Sequence, residues 1–451
     1  MFTNKNILVC GMAKSGQAVA KLLHELGAHI TVQDKKTDIT WTCDPSDFNQ
    51  YLGRDPDGIV GNFDIIIISP GISVYAPFVQ KAESLGVTVW GEAELAYRLC
   101  PCPMVAITGT NGKTTVTTLV GEILKQHNPG TVVGGNIGTP LTELVTKLSP
   151  GNIVVAEISS FQLETIAAFK PAVSAVLNIT PDHLDRHKTM EVYISMKARI
   201  FENQSPDDVC VLNYDNPITK KMHPPGRVVY FSTTEILQDG VYLKNGNVCA
   251  TFSRNPVLIA HSQYWNDGEV QILPISETRV MPENALAATA LALCAGASPA
   301  QIAHVLKTFP GVPHRMEYVA ELDGVEYYND SKATNIDSAI KAIESTNRPI
   351  VLIAGGSDKD LDFTPWVKTF PGKVSHLIVI GETTQKIVDT CNNLGFNCYK
   401  CVKTLQEATD LARKISKPGD RVILSPACAS FDMFKNYEER GDIFKSCVRN
   451  L

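Results

Sequence analysis

Residues 108–115 have the composition of a phosphate-binding loop. They read Thr108, Gly109, Thr110, Asn111, Gly112, Lys113, Thr114 and Thr115. Glycines let backbone N–H groups turn toward phosphate oxygens, and a helix that begins at the loop adds positive potential. Lys113 would reach the terminal phosphates of a nucleotide, and the Thr114 hydroxyl would bind Mg²⁺. The strict pattern has glycine where this chain has Ile107, but a predicted buried strand before the loop and a helix after it favour nucleotide binding over a chance Gly-Lys-Thr.

A second glycine-rich turn follows the first strand that the sequence predicts. Residues 7–10 are apolar, residues 11–16 read Gly-Met-Ala-Lys-Ser-Gly, and a helical pattern then leads to a strand that closes on Asp34. This order is typical of a βαβ unit whose turn can hold phosphate. The turn is not GxGxxG, although Asp34 could bond a ribose hydroxyl as in dinucleotide enzymes. Taken alone, the unit leaves a nicotinamide-dependent oxidoreductase open.

The length of 451 residues suggests about three domains. Apolar residues make up 44% of the chain and charged residues 20%, so each domain can bury an ordinary core. Prolines interrupt the pattern near residues 101–103 and 310–313, where we place the boundaries. The sequence therefore predicts an α/β protein with mostly parallel sheets and three domains, at residues 1–99, 100–312 and 313–451.

Strand and helix patterns alternate along most of the chain. Strands are predicted at residues 7–10, 29–33, 65–69, 104–108, 153–158, 173–179, 209–213, 350–354, 377–380 and 422–424, with a hairpin at 241–252 around Asn245-Gly246. Helices are predicted at residues 17–26, 116–124, 283–295 and 299–309. Ser298 is the expected N-cap of the last of these helices.

Composition excludes several classes of protein. The net charge of -6, with no Lys/Arg block, argues against a nucleic-acid binder. No stretch approaches the roughly 20 apolar residues of a membrane span, and residues 1–10 do not resemble a signal peptide. The 12 cysteines are scattered, as in a cytoplasmic protein with reduced thiols, and Cys398 and Cys401 form a CxxC without a second pair at zinc spacing. We expect a cytoplasmic monomer.

Seven segments in the second and third predicted domains resemble the Mur ligases. Besides the loop at 108–115 they are residues 134–138, 157–164, 178–186, 313–317, 329–335 and 424–432, in the order of the family. The likeness is to the members that add D-glutamate. It implies a Rossmann-like domain for the UDP part of the substrate, a central P-loop ATPase domain and a mobile, Rossmann-like C-terminal domain. It also implies a reaction in which ATP joins D-glutamate to UDP-N-acetylmuramoyl-L-alanine, in bacterial peptidoglycan synthesis.

The chemistry of such a ligase explains which residues the resemblance singles out. A carboxylate is a poor electrophile, and transfer of the ATP γ-phosphoryl group makes it an acyl-phosphate that an amine can attack. Because carboxylate and phosphates are both anionic, the site must supply cations. The resemblance implies two Mg²⁺ ions held by Thr114, Glu157, His183 and a carbamylated Lys197, whose carbamate would offer anionic oxygens. The alternatives are a capping Glu157, a structural His183 and a solvated helical Lys197.

The resemblance also assigns residues to four groups. The residues implied in catalysis are Lys113, Asn136, His183, Lys197, Arg315, Asp330 and Lys332. ATP would contact residues 109–115 together with Asn284, Arg315 and Asp330. The UDP substrate would contact Lys14, Ser15, Asp34, Lys35, Ser69, Pro70, Gly71, Asn136, Ser159 and His183. D-glutamate would contact Lys332, Thr334, Lys359, Ser430, Phe431 and Tyr437.

One segment departs from the family pattern. The family has a His-Asn-x-x-Asn run before a Leu-Ala-Ala helix, whereas residues 280–284 read Val-Met-Pro-Glu-Asn. Only Asn284 matches, so a nucleotide contact at Met281 is lost. Two rival readings stay open: another ligase of the superfamily, and a nucleotide switch without catalysis. The chain lacks the Asn-Pro-Arg signature of the diaminopimelate-adding members, and it has a first domain that folylpolyglutamate synthases lack.

Overall fold

The computed structural model describes residues 1–253, 268–358 and 361–451. The chain forms two compact units, Met1–Phe309 and Pro310–Leu451. The first unit contains two β-sheets and the second unit contains one. All three sheets are mostly parallel, which confirms the α/β class. The boundaries that we predicted at residues 99 and 312 stay predictions.

The first sheet of the first unit is parallel throughout. Its strands are β1 (Asn6–Cys10), β2 (His29–Asp34), β3 (Asn49–Leu52), β4 (Ile65–Ile68) and β5 (Thr88–Gly91), in the order β3-β2-β1-β4-β5. The associated helices are α1 (Lys14–Glu25), α2 (Pro77–Ser84) and α3 (Glu92–Leu99). Because both faces of β1 and β4 are covered, these strands are nearly continuous apolar runs. The strand order reverses between β1 and β4, and their carboxyl ends open a crevice there.

The second sheet has nine strands. They are β6 (Met104–Thr108), β7 (Thr131–Gly135), β8 (Ile153–Glu157), β9 (Val173–Val176), β10 (Val209–Asn213), β11 (Arg227–Ser232), β12 (Gly240–Lys244), β13 (Asn247–Phe252) and β14 (Gly268–Pro274). Their order is β14-β13-β12-β11-β10-β9-β6-β8-β7. The β12–β13 and β13–β14 pairs are antiparallel, and the former is the predicted hairpin around Asn245-Gly246.

Seven helices accompany the described part of this sheet. They are α4 (Lys113–His127), α5 (Leu141–Val145), α6 (Ser160–Leu163), α7 (Leu184–His187), α8 (Met190–Ala198), α9 (Pro282–Cys294) and α10 (Pro299–Thr308). Helix α9 packs against α4, and its alanines and leucines are buried along most of its length. The Ser298 hydroxyl caps α10 by accepting the Gln301 N–H, which confirms the predicted N-cap.

The second unit is a six-stranded sheet with helices on both faces. Its strands are β15 (Glu317–Leu322), β16 (Val325–Asn329), β17 (Ile350–Ala354), β18 (Val374–Val379), β19 (Tyr399–Cys401) and β20 (Arg421–Leu424), in the order β15-β16-β20-β17-β18-β19. Its helices are α11 (Ile336–Glu344), α12 (Thr364–Val367), α13 (Thr384–Asn393), α14 (Leu405–Ile415) and α15 (Tyr437–Arg449). Only β15 pairs antiparallel. In the described ranges of the chain, no helix is both long enough and apolar enough to cross a bilayer.

Two elements differ from their predicted bounds for reasons that matter to the site. The strand predicted at 173–179 ends at Val176, because the chain then leaves the sheet and the Asn178 carbonyl accepts the Thr110 N–H at 2.9 Å. The helix predicted to begin at Gln17 begins at Lys14, so Lys14 and Ser15 lie in its first turn.

Candidate active site

The carboxyl ends of four neighbouring parallel strands carry the candidate active site of the first unit. The phosphate loop follows β6, Asn136 follows β7, Glu157 ends β8 and Asn178 lies just beyond β9. Their order in the sheet, β9-β6-β8-β7, places all four at one edge. Open parallel sheets bind ligands at this edge.

The phosphate loop has a backbone that its glycines require. Gly109 has φ +153° and Gly112, the residue before α4, has φ +82°. An added Cβ at Gly112 would lie 2.5 Å from Asn284 Oδ1, which is how α9 closes on the loop. The Asn111 N–H donates to Asn178 Oδ1 at 2.9 Å, and Asn178 Nδ2 donates back to the Asn111 carbonyl at 3.1 Å. Asn178, which our site prediction did not include, therefore holds the loop in place.

Two lysines meet at one carbonyl of this loop. Lys113 Nζ donates to the Gly109 and Thr110 carbonyl oxygens, both at 2.9 Å, and Lys197 Nζ donates to the same Gly109 oxygen at 2.8 Å. The side chain of Lys197 is buried. Burial, and next the charge of Lys113, hold the pKa of Lys197 well below its ordinary value, while Asp182 and Glu157 act in the opposite direction. A neutral amine, the reactive form of lysine, is thereby favoured.

Glu157 presents one carboxylate oxygen with a partner and one without. Its Oε1 accepts a hydrogen bond from Asn136 Nδ2 at 2.8 Å, and its backbone carbonyl accepts the Asn136 N–H. Its Oε2 is buried and has no hydrogen-bond partner among the described residues. A buried, unpartnered carboxylate oxygen beside a phosphate loop suits a hard cation such as Mg²⁺.

The two histidines near this edge differ in their surroundings. His183, at the start of α7, has φ +53° and a side chain 47% exposed, and its N–H donates to Asp182 Oδ1 at 2.9 Å. His187 is buried, and its Nε2 lies 3.0 Å from Ser160 Oγ. Across the described ranges no three His, Cys, Asp or Glu side chains group as a metal cage.

The turn at the first sheet is held by residues that we predicted to bind the UDP substrate. Asp34 Oδ2 accepts the Met12 N–H at 2.7 Å, and Ser69 Oγ donates to the Gly11 carbonyl at 3.0 Å. Lys14 Nζ donates to the Gly138 carbonyl at 3.0 Å, close in sequence to Asn136. Lys35 instead forms an exposed ion pair with Asp55. Lys14, Asp34 and Ser69 therefore lie together at the crevice, whereas the side chain of Lys35 is bonded to Asp55.

Arg186 connects that turn to α7. Its guanidinium donates to the Pro70 carbonyl at 2.7 Å and to the Ile72 carbonyl at 2.8 Å, and it pairs with Glu164. Our site prediction missed Arg186, although it lies in the segment 178–186 that carries the resemblance. Ser159 is the N-cap of α6, and its hydroxyl and N–H are both bonded to Gln162.

In the second unit, Asp330 lies just after β16 in a nearly enclosed position. Its Oδ2 accepts the Ser425 hydroxyl at 2.8 Å, and its Oδ1 accepts the Met316 N–H at 3.2 Å. Burial raises the pKa of Asp330 to about 7, against the opposing effects of Ser425 and Arg315. The Nε atom of Arg315 is buried and has no hydrogen-bond partner in the described ranges.

Of the residues predicted for D-glutamate, Lys332 is in contact with Tyr437 and with Thr334 in the second unit. Lys332 Nζ lies 5.2 Å from the ring centre of Tyr437, the first residue of α15. The Thr334 N–H donates to the Lys332 carbonyl. Ser430 is buried after β20, while the next side chain, Phe431, is 72% exposed. An aromatic surface thus lies beside a cation, as an amino-acid pocket needs, and Lys359 falls outside the described residues.

Three family models match successive parts of the chain. Residues 5–91 match the Mur ligase MurD-like N-terminal domain, residues 107–292 the Mur ligase middle domain, and residues 314–428 the Mur ligase glutamate ligase domain. The matched regions correspond in turn to the first, second and third sheets.

Full-length relatives agree with this domain order. The UDP-N-acetylmuramoylalanine--D-glutamate ligase of Alkaliphilus metalliredigens is 44% identical over 99% of this chain and 98% of its own, and that of Caldanaerobacter subterraneus is 43% identical over the same shares. The crystal structure of UDP-N-acetylmuramate-alanine ligase MurC from Thermotoga maritima shares the fold, with a TM-score of 0.59 and 17% identity over 99% of both chains. The chain belongs to the Mur ligase family.

Proposed function

We propose that this chain is an ATP-dependent ligase that joins D-glutamate to UDP-N-acetylmuramoyl-L-alanine in bacterial peptidoglycan synthesis. The relatives that are 42–44% identical over nearly the whole chain carry that ligase name. The observation that carries the chemistry is the group formed by Lys113, Lys197 and the unpartnered oxygen of Glu157 at the phosphate loop. A transferring phosphoryl group needs this density of cation and cation-binding groups.

The first step transfers the γ-phosphoryl group of ATP to the carboxylate of the L-alanyl substrate. A carboxylate oxygen attacks phosphorus, the bond to the β–γ bridging oxygen breaks, and ADP leaves. The backbone N–H groups of residues 109–115 and the Lys113 ammonium would hold the phosphates, with Asn284 beside the loop. Arg315 and Asp330 are further proposed contacts of the nucleotide.

Two Mg²⁺ ions are the proposed cofactors, and when bound they would neutralise the charge that gathers on the phosphates. Thr114, Glu157, His183 and Lys197 would hold them. An ammonium cannot bind a cation, so Lys197 must first react as a neutral amine with CO₂. That reaction forms an N–C bond, releases one proton and leaves an anionic carbamate. The buried position and lowered pKa of Lys197 support it.

The UDP substrate is proposed to bind at the crevice of the first sheet. Lys14 and Ser15 lie in the first turn of α1, where the N-terminal N–H groups favour phosphate. Asp34 and residues 69–71 shape the turn around it, and Lys35 would supply more distant charge. Asn136, Ser159 and His183 are proposed for the muramoyl end of the substrate. Asn136 suits that role because it bonds Glu157 directly.

D-glutamate is proposed to bind in the second unit. The Lys332 ammonium would pair with a carboxylate of the amino acid, and Thr334, Lys359, Ser430, Phe431 and Tyr437 are its other proposed contacts. The amine of D-glutamate then attacks the carbonyl carbon of the acyl-phosphate. The carbon–oxygen bond to phosphate breaks, and inorganic phosphate leaves with the amide formed. We further propose that the enzyme works in the cytoplasm as a monomer.

Phosphate release with defined amino acids tests this proposal. The purified chain is supplied with ATP, Mg²⁺ and UDP-N-acetylmuramoyl-L-alanine, and D-glutamate is compared with L-glutamate, L-lysine and diaminopimelate. Release with D-glutamate alone, with the product mass of the D-glutamyl adduct, is the expected result. Release with another amino acid would refute the specificity, and release with none of them would refute the ligase in favour of a nucleotide switch.

A further inference from the structure

A buried arginine of α15 bonds residues that are next in sequence to two of those proposed for D-glutamate. Arg440 is 1% exposed. Its Nε donates to Ser331 Oγ at 2.9 Å and its Nη2 to the Ser331 carbonyl at 2.8 Å. Its Nη2 and Nη1 also donate, each at 3.2 Å, to the carbonyls of Cys428 and Ala429. In the part of the chain that the structure describes, none of these acceptors is a carboxylate.

The acceptors of Arg440 belong to the segments that carry the proposed pocket. Ser331 immediately precedes Lys332, and Ala429 immediately precedes Ser430. The Ser331 hydroxyl in turn donates to the Tyr437 carbonyl at 2.8 Å. One guanidinium thus joins the chain after β16, the chain after β20 and the start of α15. Two of these three connections depend on Ser331.

The charge of Arg440 is costly in this position. Burial lowers the pKa of its guanidinium to about 10, which still leaves it cationic at neutral pH. Asp330 and Asp432 are near enough to stabilise the charge, but neither accepts a hydrogen bond from it. Arginine presents its donors in a rigid planar fork, so it can hold several carbonyls at fixed spacings as lysine cannot. A buried cation without a bonded carboxylate also adds positive potential beneath a site for an acidic amino acid.

We infer that Arg440 is a positioning residue for the amino-acid pocket, whose guanidinium fixes the Lys332 and Ser430 segments at the spacing that an acidic amino acid requires. This inference rests on the proposed function. Arg440 acts through the groups it holds and does not itself touch the substrate. Its loss should therefore weaken the binding of D-glutamate while the binding of ATP is unchanged.

The Arg440→Lys variant tests this, because it keeps the buried charge and removes the fork. We expect the KM for D-glutamate to rise at least about tenfold, as for the loss of a charge-assisted hydrogen-bond pair. The KM values for ATP and for UDP-N-acetylmuramoyl-L-alanine should stay within about twofold of wild type. The matched control is Arg413→Lys on α14, an exposed arginine that bonds Asp323 and the Leu451 carbonyl. That variant should leave all three KM values unchanged.

The Ser331→Ala variant supplies a second, milder readout. It removes the hydroxyl between Arg440 and Tyr437 and leaves the bonds of Arg440 to three carbonyls. We expect a rise of about threefold in the KM for D-glutamate. In the double variant the combined rise should be smaller than the product of the two single effects, because both act through one hydrogen bond.

The outcomes separate a positioning role from a merely structural one. An unchanged KM for D-glutamate in both variants, with only kcat or the folded fraction reduced, would overturn the inference. If Arg440→Lys does not fold, Ser331→Ala decides alone: a raised KM supports the inference and an unchanged KM overturns it. If wild-type protein releases no phosphate with D-glutamate, the proposed function fails. That result comes from the wild-type protein alone and is therefore distinct from the outcomes of the variants.

Discussion

Among the described residues, each unit of this ligase buries one lysine or arginine side chain, Lys197 in the first unit and Arg440 in the second, and the two differ in their hydrogen bonds. In the first unit, Lys197 donates to the Gly109 carbonyl, its one hydrogen-bond acceptor among the described residues, and it lies near the second cation Lys113. In the second unit, Arg440 donates to four oxygens from two segments. The Lys197 nitrogen makes few of the hydrogen bonds that it could make, whereas the donors of the Arg440 guanidinium are nearly all used.

The difference follows from what each side chain can become. A buried lysine can lose its proton, and the neutral amine can then react. A lysine with few hydrogen bonds therefore remains available for a chemical reaction. Arginine stays charged in proteins, and its planar guanidinium acts by holding hydrogen-bond acceptors at fixed positions. We therefore expect replacement of Lys197 by arginine to abolish turnover, and replacement of Arg440 by lysine to cause only a partial loss of function. The predictions below start from the largest effect.

The largest loss of turnover should come from replacing Lys113, whose charge lowers the pKa of Lys197. Lys113→Ala removes a phosphate contact and also a nearby charge, so turnover should fall at least about a thousandfold while the protein stays folded. Phosphate release and circular dichroism measure the two. Lys125→Ala, at the exposed end of the same helix, is the control and should be fully active. Near-normal turnover in Lys113→Ala would refute the phosphate-loop assignment.

Replacements of Lys197 distinguish the effect of a positive charge at this position from the effect of a carbamate that binds a cation. Lys197→Ala should lose about a hundredfold or more in turnover, because a ligand for the cation is lost. Added bicarbonate or a short carboxylate such as formate should restore part of it by occupying the empty position. Lys197→Arg supplies the positive charge of a lysine ammonium but cannot be carbamylated, so it should be equally inactive and should not respond to formate. Lys221→Ala, at an exposed position, is the control. A nearly active Lys197→Arg would mean that the charge alone matters.

The second unit should show a pH-dependent stability that depends on Asp330. Its pKa is about 7 in the folded protein and about 3.9 in an unfolded chain. Between these values the folded state keeps a proton that the unfolded state has released, so the free energy of unfolding falls as pH rises. Compared with Asp330→Asn, wild type should lose on the order of 2 kcal/mol between pH 5 and pH 7. Urea denaturation at both pH values measures this, and parallel pH profiles of the two proteins would contradict it.

The smallest effect concerns the start of α9, beside the phosphate loop. Met281 is the N-cap residue of that helix and makes no side-chain cap bond. Met281→Asn supplies a cap, so the free energy of unfolding should rise by about 1 kcal/mol. If the lost nucleotide contact is also regained, the KM for ATP should fall by about twofold or threefold. Thermal unfolding and ATP titration measure the two, and a lower melting temperature would show that Met281 serves another purpose.

Local sequence patterns predicted the phosphate-loop region of the first unit better than the surroundings of Arg440 in the second unit. The strand, glycine turn and helix around Lys113 lie within one short stretch of sequence, so composition alone indicated their use. Arg440 was missed because its partner Ser331 lies 109 residues away and because its acceptors are mostly backbone carbonyls, which leave no sequence pattern. The edge strand β3 (Asn49–Leu52) was missed for a related reason, since its exposed polar residues resemble a loop.

The route through an acyl-phosphate is the central claim, and oxygen labelling tests it directly. UDP-N-acetylmuramoyl-L-alanine is prepared with ¹⁸O in its carboxylate and converted with ATP and D-glutamate. If the γ-phosphoryl group is transferred to that carboxylate, the released phosphate carries one ¹⁸O atom, seen by mass spectrometry. Phosphate without label, at normal product yield, would show that ATP is hydrolysed apart from amide formation and would contradict the mechanism.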